Sequence, residues 1–101
     1  MDNTVDTFTP LIGARFSLSR DAEAALEAEL VEVRGLDIPS RGEHEMNPFA
    51  LLFRVGDSQV AAEDAQQGLF DVTWQDAGPV AMFLVPVESD EKGVYFEAIF
   101  N

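Results

Sequence analysis

Apolar and polar residues alternate along most of this chain with a period of two. The clearest stretch is the last, Val80 to Asn101. Val80–Val87 carries no charge. In Val94–Phe100, Val94, Phe96, Ala98 and Phe100 fall on one face, and Tyr95, Glu97 and Ile99 on the other. β-Branched and aromatic residues dominate both runs, as a pleated, half-buried surface favours. Between them E-S-D-E-K-G ends in a glycine, which predicts a β-hairpin. That hairpin holds Phe83, Phe96, Phe100 and the single tyrosine, and is expected at the centre of the core.

Earlier segments follow the same logic. Residues 4–13 read equally as a helical turn or as an extended arm, with Phe8 and Leu11 as anchors and Gly13 as the stop. Ala14–Arg20 alternates, with Phe16 and Leu18 on one side, and predicts a strand. Residues 21–36 pull two ways. Ala22, Leu26, Leu30 and Val33 fit helical spacing and the composition is helix-favouring. Leu26, Ala28 and Leu30 also alternate with Glu27 and Glu29, and the phase slips at Val31. A strand with a bulge near Leu30–Val31 accounts for that slip and matches its neighbours, after a turn at D-A-E-A. Leu36–Pro48 is a long irregular stretch with two prolines and a glycine. Phe49–Val55 is a strand with little polar relief, hence central. Residues 56–58 turn the chain, and Gln59–Gln67 is a short helical turn or a weak edge strand. Phe70, Val72 and Trp74 share a strand face, D-A-G-P at 76–79 is a turn, and Pro86 marks an edge or a bulge. The sum is one all-β, mainly antiparallel domain over residues 1–101. It is a small six-stranded barrel or sandwich, mostly a meander, with a short N-terminal helical turn or arm.

Composition narrows the function. Nineteen acidic residues against six basic ones give a net charge of −13. Such a surface disfavours direct contact with nucleic-acid phosphate or an anionic membrane, and suits solubility, a basic protein partner or high salt. The chain has no cysteine, so disulfides, thiolate metal sites and cysteine nucleophiles are excluded. No apolar run approaches the roughly 18 residues of a membrane span. The acidic start, M-D-N-T-V-D, lacks a basic region before an apolar stretch, which points to the cytoplasm.

The order T-F-T-P-L-I-G-A-R-F, L-E-A-E-L-V-E-V, P-F-A-L-L-F-R, Q-G-L-F-D-V, F-L-V-P-V and Y-F-E-A-I-F-N spans nearly the whole chain. It resembles a bacterial family of small single-domain proteins classed as a domain of unknown function. The two closing runs carry most of the likeness. The resemblance implies a compact all-β domain with a strand over residues 24–34. It also implies an association with tail-collar-like, phage-tail-derived fibre proteins, and brings no catalytic residues.

Candidate chemistry is sparse. His44, the only histidine, stands between Glu43 and Glu45, but neighbours on an extended loop point apart and a transition metal needs more nitrogen or sulfur ligands. No metal or other cofactor is expected. Glu97 interrupts an apolar strand and is the best single candidate for acid–base work, against the commoner reading of a solvated strand position. There is no G-x-S-x-G, phosphate-binding loop, dinucleotide fingerprint or calcium loop. Arg15, Arg34 and Arg54 are expected in cross-strand ion pairs, and Trp74 and Tyr95 in core or rim packing. The expectation is a non-enzymatic interaction or assembly module with a protein partner, basic or tail-fibre-like. Its candidate contacts are Glu43, His44, Glu45, Met46 and Phe49. The alternatives are a small-ligand-binding barrel and, third, an enzyme using carboxylates.

Overall fold

Strands form where the alternation is strongest. The computed structural model describes residues 5–20, 24–35, 48–56, 59–75 and 77–100. Within them run β1 (Arg15–Ser19), β2 (Leu26–Gly35), β3 (Phe49–Val55), β4 (Gly68–Trp74), β5 (Ala77–Asp90) and β6 (Gly93–Phe100). All pairings are antiparallel, and the strands close into a barrel in the order β1-β2-β3-β6-β5-β4. β1–β2–β3 and β4–β5–β6 are two meanders, joined along the seams β3·β6 and β1·β4. Closure satisfies the backbone groups that an open sheet would leave along its edges.

β2 is where local propensity loses. Helix preference differs by only a few tenths of a kcal/mol per residue. As a strand, β2 instead pairs with β1 on one side and β3 on the other, and puts Ala28 and Leu30 into the core. Its register slips between Leu30 and Glu32, so Val31 is the extra residue expected there. A second slip lies between Pro86 and Glu88, the bulge that Pro86 announces. The weak stretch before β4 forms a 3-10 turn at Ala62–Asp64.

Both later turns are tighter than the polar residues suggest. The expected turn at 76–79 is a narrower connection, because Ala77 already pairs with Trp74 as the first residue of β5. The expected break at 88–93 shrinks to Glu91 and Lys92, because Asp90 pairs with Gly93. Asp90 Oδ1 accepts from the Lys92 backbone N–H at 2.8 Å and holds that corner. Glu88, Ser89 and Asp90 are polar because this hairpin projects into solvent, not because it is loop.

Six strands enclose little volume, and side chains fill it. Phe16 meets Phe53 edge-on at 5.1 Å and Phe70 meets Phe96 at 6.1 Å. Val55, Val72, Leu51 and Leu84 are wholly buried among them. The N-terminal segment resolves to a helical turn, α1 (Val5–Phe8), followed by a 3-10 turn at Thr9–Leu11. Gly13, at φ 93°, then lets the chain join β2 through its N–H on the Leu30 carbonyl at 2.7 Å. Phe8 is fully buried against Trp74, Phe49 and Phe100, at 5.4, 6.0 and 6.0 Å between ring centroids, and stoppers one end of the barrel. Residues 59–67 pass over the other end, where Val60 and Ala65 pack on the core.

Candidate interaction surface

Glu43, His44, Glu45 and Met46 lie outside the described residues, as does most of the long stretch that contains them. Phe49 is described, and it is not a surface group. It is 1% exposed and stacks on Phe100 with centroids 4.8 Å apart. β3 is paired on both sides, so its alternating side chains turn into the barrel and carry Phe49 with them. Trp74 is likewise core, between Phe8 and Phe16.

The expected cross-strand ion pairs cover the outer face of β1, β2, β3 and β6. Arg15 meets Glu27 at 3.1 Å, Arg54 meets Glu29, and Arg34 meets Glu97 at 2.7 Å and Glu32 at 3.9 Å. The register sets Arg15, Glu29, Arg54, Tyr95 and Glu88 in one row across five strands. Beside that row lies an open groove of about 620 Å³, lined by Arg15, Glu27, Glu29, Arg54, Gln59 and Lys92. Its charges are largely spent on one another. The Gln59 side-chain amide extends the sheet where β3 stops, donating to Glu27 O and accepting from Glu27 N, both at 2.8 Å. Tyr95 donates to Asp90 at 3.0 Å. Desolvation, then the hydrogen bond to Asp90 and its charge, push the phenol above its ordinary value, while Arg54 opposes them. Glu97 is salt-bridged to Arg34 on an outer strand position, and Glu32 approaches the same guanidinium, so the arginine lies against both carboxylates.

The other half of the barrel has a different outer face. Leu69 is 62% exposed, Phe83 52% and Ile99 54%. Leu69 pairs with Phe83, and Ile99 is the next residue beyond the Leu84–Ala98 pair, so the three form one row across β4, β5 and β6. Ala81 and Val87 extend it along β5 as exposed residues, and half-buried Val85 lies between. Asp71, opposite Ala81, and Glu97, opposite Val85, stand at its margin. The sequence placed this hairpin at the centre of the core, with Val80–Val87 as an unbroken apolar run. In fact only alternate residues of Val80–Val87, chiefly Met82 and Leu84, turn inward. An uncharged strand is either covered on both faces or exposes one, and this one exposes a face. The absence of any polar residue at 81, 83 and 85 was the available signal.

A third feature sits at the end crossed by residues 59–67. It is a pocket of about 250 Å³ with Leu18, Leu26, Phe70 and Phe96 in its wall and Arg20 and Asp64 among its polar lining.

Among the described residues no three His, Cys, Asp or Glu side chains gather as a metal site, and no helix is long and apolar enough to cross a membrane. No polar or charged residue among them is buried. Comparison with known proteins finds one family: residues 3–100 match the model of a domain of unknown function, DUF6916. The chain belongs to that family. No curated protein and no solved structure matches it.

Proposed function

We propose that this member of the DUF6916 family is a non-enzymatic protein-interaction module that docks through the outer face of β4, β5 and β6. The observation that carries the reading is the row Leu69, Phe83 and Ile99, each more than half exposed, on a barrel whose interior is already full. Exposed apolar groups in such a row cost solubility unless something covers them. Charge selects the occupant. Two copies at −13 each repel, whereas a protein with an apolar strip between basic residues is attracted to the acidic margin. Asp71 then meets the partner's cations at the rim, and the apolar row supplies the buried centre. The likeness drawn from the sequence supplies the partner class: a phage-tail-derived fibre protein of the tail-collar type, in a bacterial cytoplasm.

The test is a titration of a purified tail-collar-type fibre protein from the same genome, using wild type and Phe83→Ser/Ile99→Ser. The sites are exposed, so the double variant should stay folded. Binding by wild type that falls at least about tenfold in the variant, and weakens with added salt, supports the reading. Equal binding by both proteins overturns the docking face. A wild-type homodimer that the double variant dissolves overturns the heterologous partner.

A further inference from the structure

The pocket at the barrel mouth uses residues that the docking face does not. Arg20, just after β1, lies over the Phe70 ring with its guanidinium carbon 4.7 Å from the centroid. Its Nη1 donates to the Gln67 carbonyl at 3.4 Å. Arg15, Arg34 and Arg54 each meet a carboxylate. Arg20 meets none among the described residues, in a chain with 19 acids for 6 bases. A guanidinium held on a ring and a carbonyl still has donors free, and carboxylate is the group its planar fork matches. Gly68 makes the arrangement possible, since a Cβ there would overlap Arg20 Nη1.

We infer that this mouth binds a small monocarboxylate with a short apolar body. The body rests on half-buried Leu26, Val60 and Ala65, above the buried Leu18, Phe70 and Phe96 at the floor of the pocket. The carboxylate meets Arg20. At about 250 Å³ the pocket is below the usual range for drug-sized ligands, so the body is short, about eight non-hydrogen atoms in all. Asp64, exposed on its 3-10 turn, also lines the pocket and opposes a second negative charge, which favours monocarboxylates over dicarboxylates.

Hexanoate is the probe and hexan-1-ol its uncharged counterpart, each titrated into the isotope-labelled full chain and followed by amide NMR. Saturable shifts confined to the Leu18, Phe70 and Phe96 strands are expected for hexanoate, with Kd about 1–10 mM, and binding about tenfold weaker for the alcohol. Two variants separate charge from packing. Arg20→Gln removes the cation. Gly68→Ala keeps it but pushes the flexible end of the arginine aside, at a backbone position that needs no glycine conformation. Both should weaken hexanoate about tenfold and leave the alcohol unchanged, with the rest of the spectrum unmoved. No saturable shift by about 50 mM overturns the site. So does hexanoate binding that neither substitution alters, which would leave Arg20 as a cover for Phe70 alone. If Arg20→Gln unfolds, Gly68→Ala still decides. The result bears on the mouth only, and leaves the docking face to its own test.

Discussion

Replacing Phe8 by alanine tests whether the N-terminal turn is structural or merely attached. Phe8 is 0% exposed and touches three other rings. Burying a phenylalanine removes about 200 Å² from water, worth about 5 kcal/mol as an upper bound. Core Phe→Ala changes cost about 3–5 kcal/mol. Here the turn can detach once its anchor is gone, and the conformational freedom it regains offsets part of the loss. About 3 kcal/mol is therefore expected, against a total of about 5–10 kcal/mol for a domain of this size. With a urea slope of about 1.5 kcal/mol per molar, the midpoint should fall by about 2 M. The single tryptophan makes the assay direct, because Trp74 lies 5.4 Å from Phe8. Its emission should follow unfolding, and in the folded variant should shift to the red as water reaches the opened barrel end. Ile12→Ala, at a side chain 48% exposed, is the control and should move stability by no more than about 0.5 kcal/mol. A Phe8→Ala midpoint within about 0.3 M of wild type, with unchanged emission, would refute the stopper and leave the segment as a loosely held arm.

Gly93→Ala should be among the worst single changes in the chain. Gly93 has φ 140°, and an added Cβ would overlap the Val55 carbonyl oxygen and come within 2.9 Å of its carbon, so backbone must move. A loss of about 3 kcal/mol or more in urea unfolding is expected, and a loss under about 1 kcal/mol would contradict the close packing of the β5–β6 turn on β3. Glu97→Gln should cost no more than about 1 kcal/mol, because Arg34 is half-exposed and solvent screens the pair; raised salt should shrink the difference, and a salt-independent loss would point to packing instead. Tyr95 is the only tyrosine, so phenolate absorbance reports it alone. Its phenol is raised in the fold, so its contribution is fully present below the unfolded value near 10. The contribution is lost as pH rises through the higher folded value. Asp90→Asn should move the titration midpoint down, toward the ordinary value, and an unmoved midpoint would deny the Asp90 contact a role.

The barrel's elements were legible because its interior is apolar and small. A strand with one face in such an interior must alternate, and Phe16/Leu18, Phe70/Val72/Trp74 and Val94/Phe96/Ala98 do so and are buried. The slip at Val31 was readable for the same reason: a bulge changes which residues face inward. The ion pairs of Arg15, Arg34 and Arg54 followed from outward strand positions in an acidic chain. Turn boundaries were not legible. Polar residues mark exposure to water, and an exposed hairpin tip looks like loop at Glu88–Asp90. Phe49 carried two readings, the start of an apolar central strand and the end of a contact loop; the first holds, and the ring partners that bury it, Phe8 and Phe100, are distant along the chain.

By itself, then, the sequence determined the period of the elements, the all-β class, the bulge at Val31 and the acidic character, since each depends on residues a few positions apart. Tertiary structure decided between barrel and sandwich, because closure rests on the β1–β4 and β3–β6 seams, which join residues far apart in the chain. It also decided which side of Val80–Val87 meets water. An apolar residue on a strand has the same local signature whether it faces the core or a partner. Only the curvature of the closed sheet put Phe83 outside, beside Leu69 and Ile99, and Met82 within.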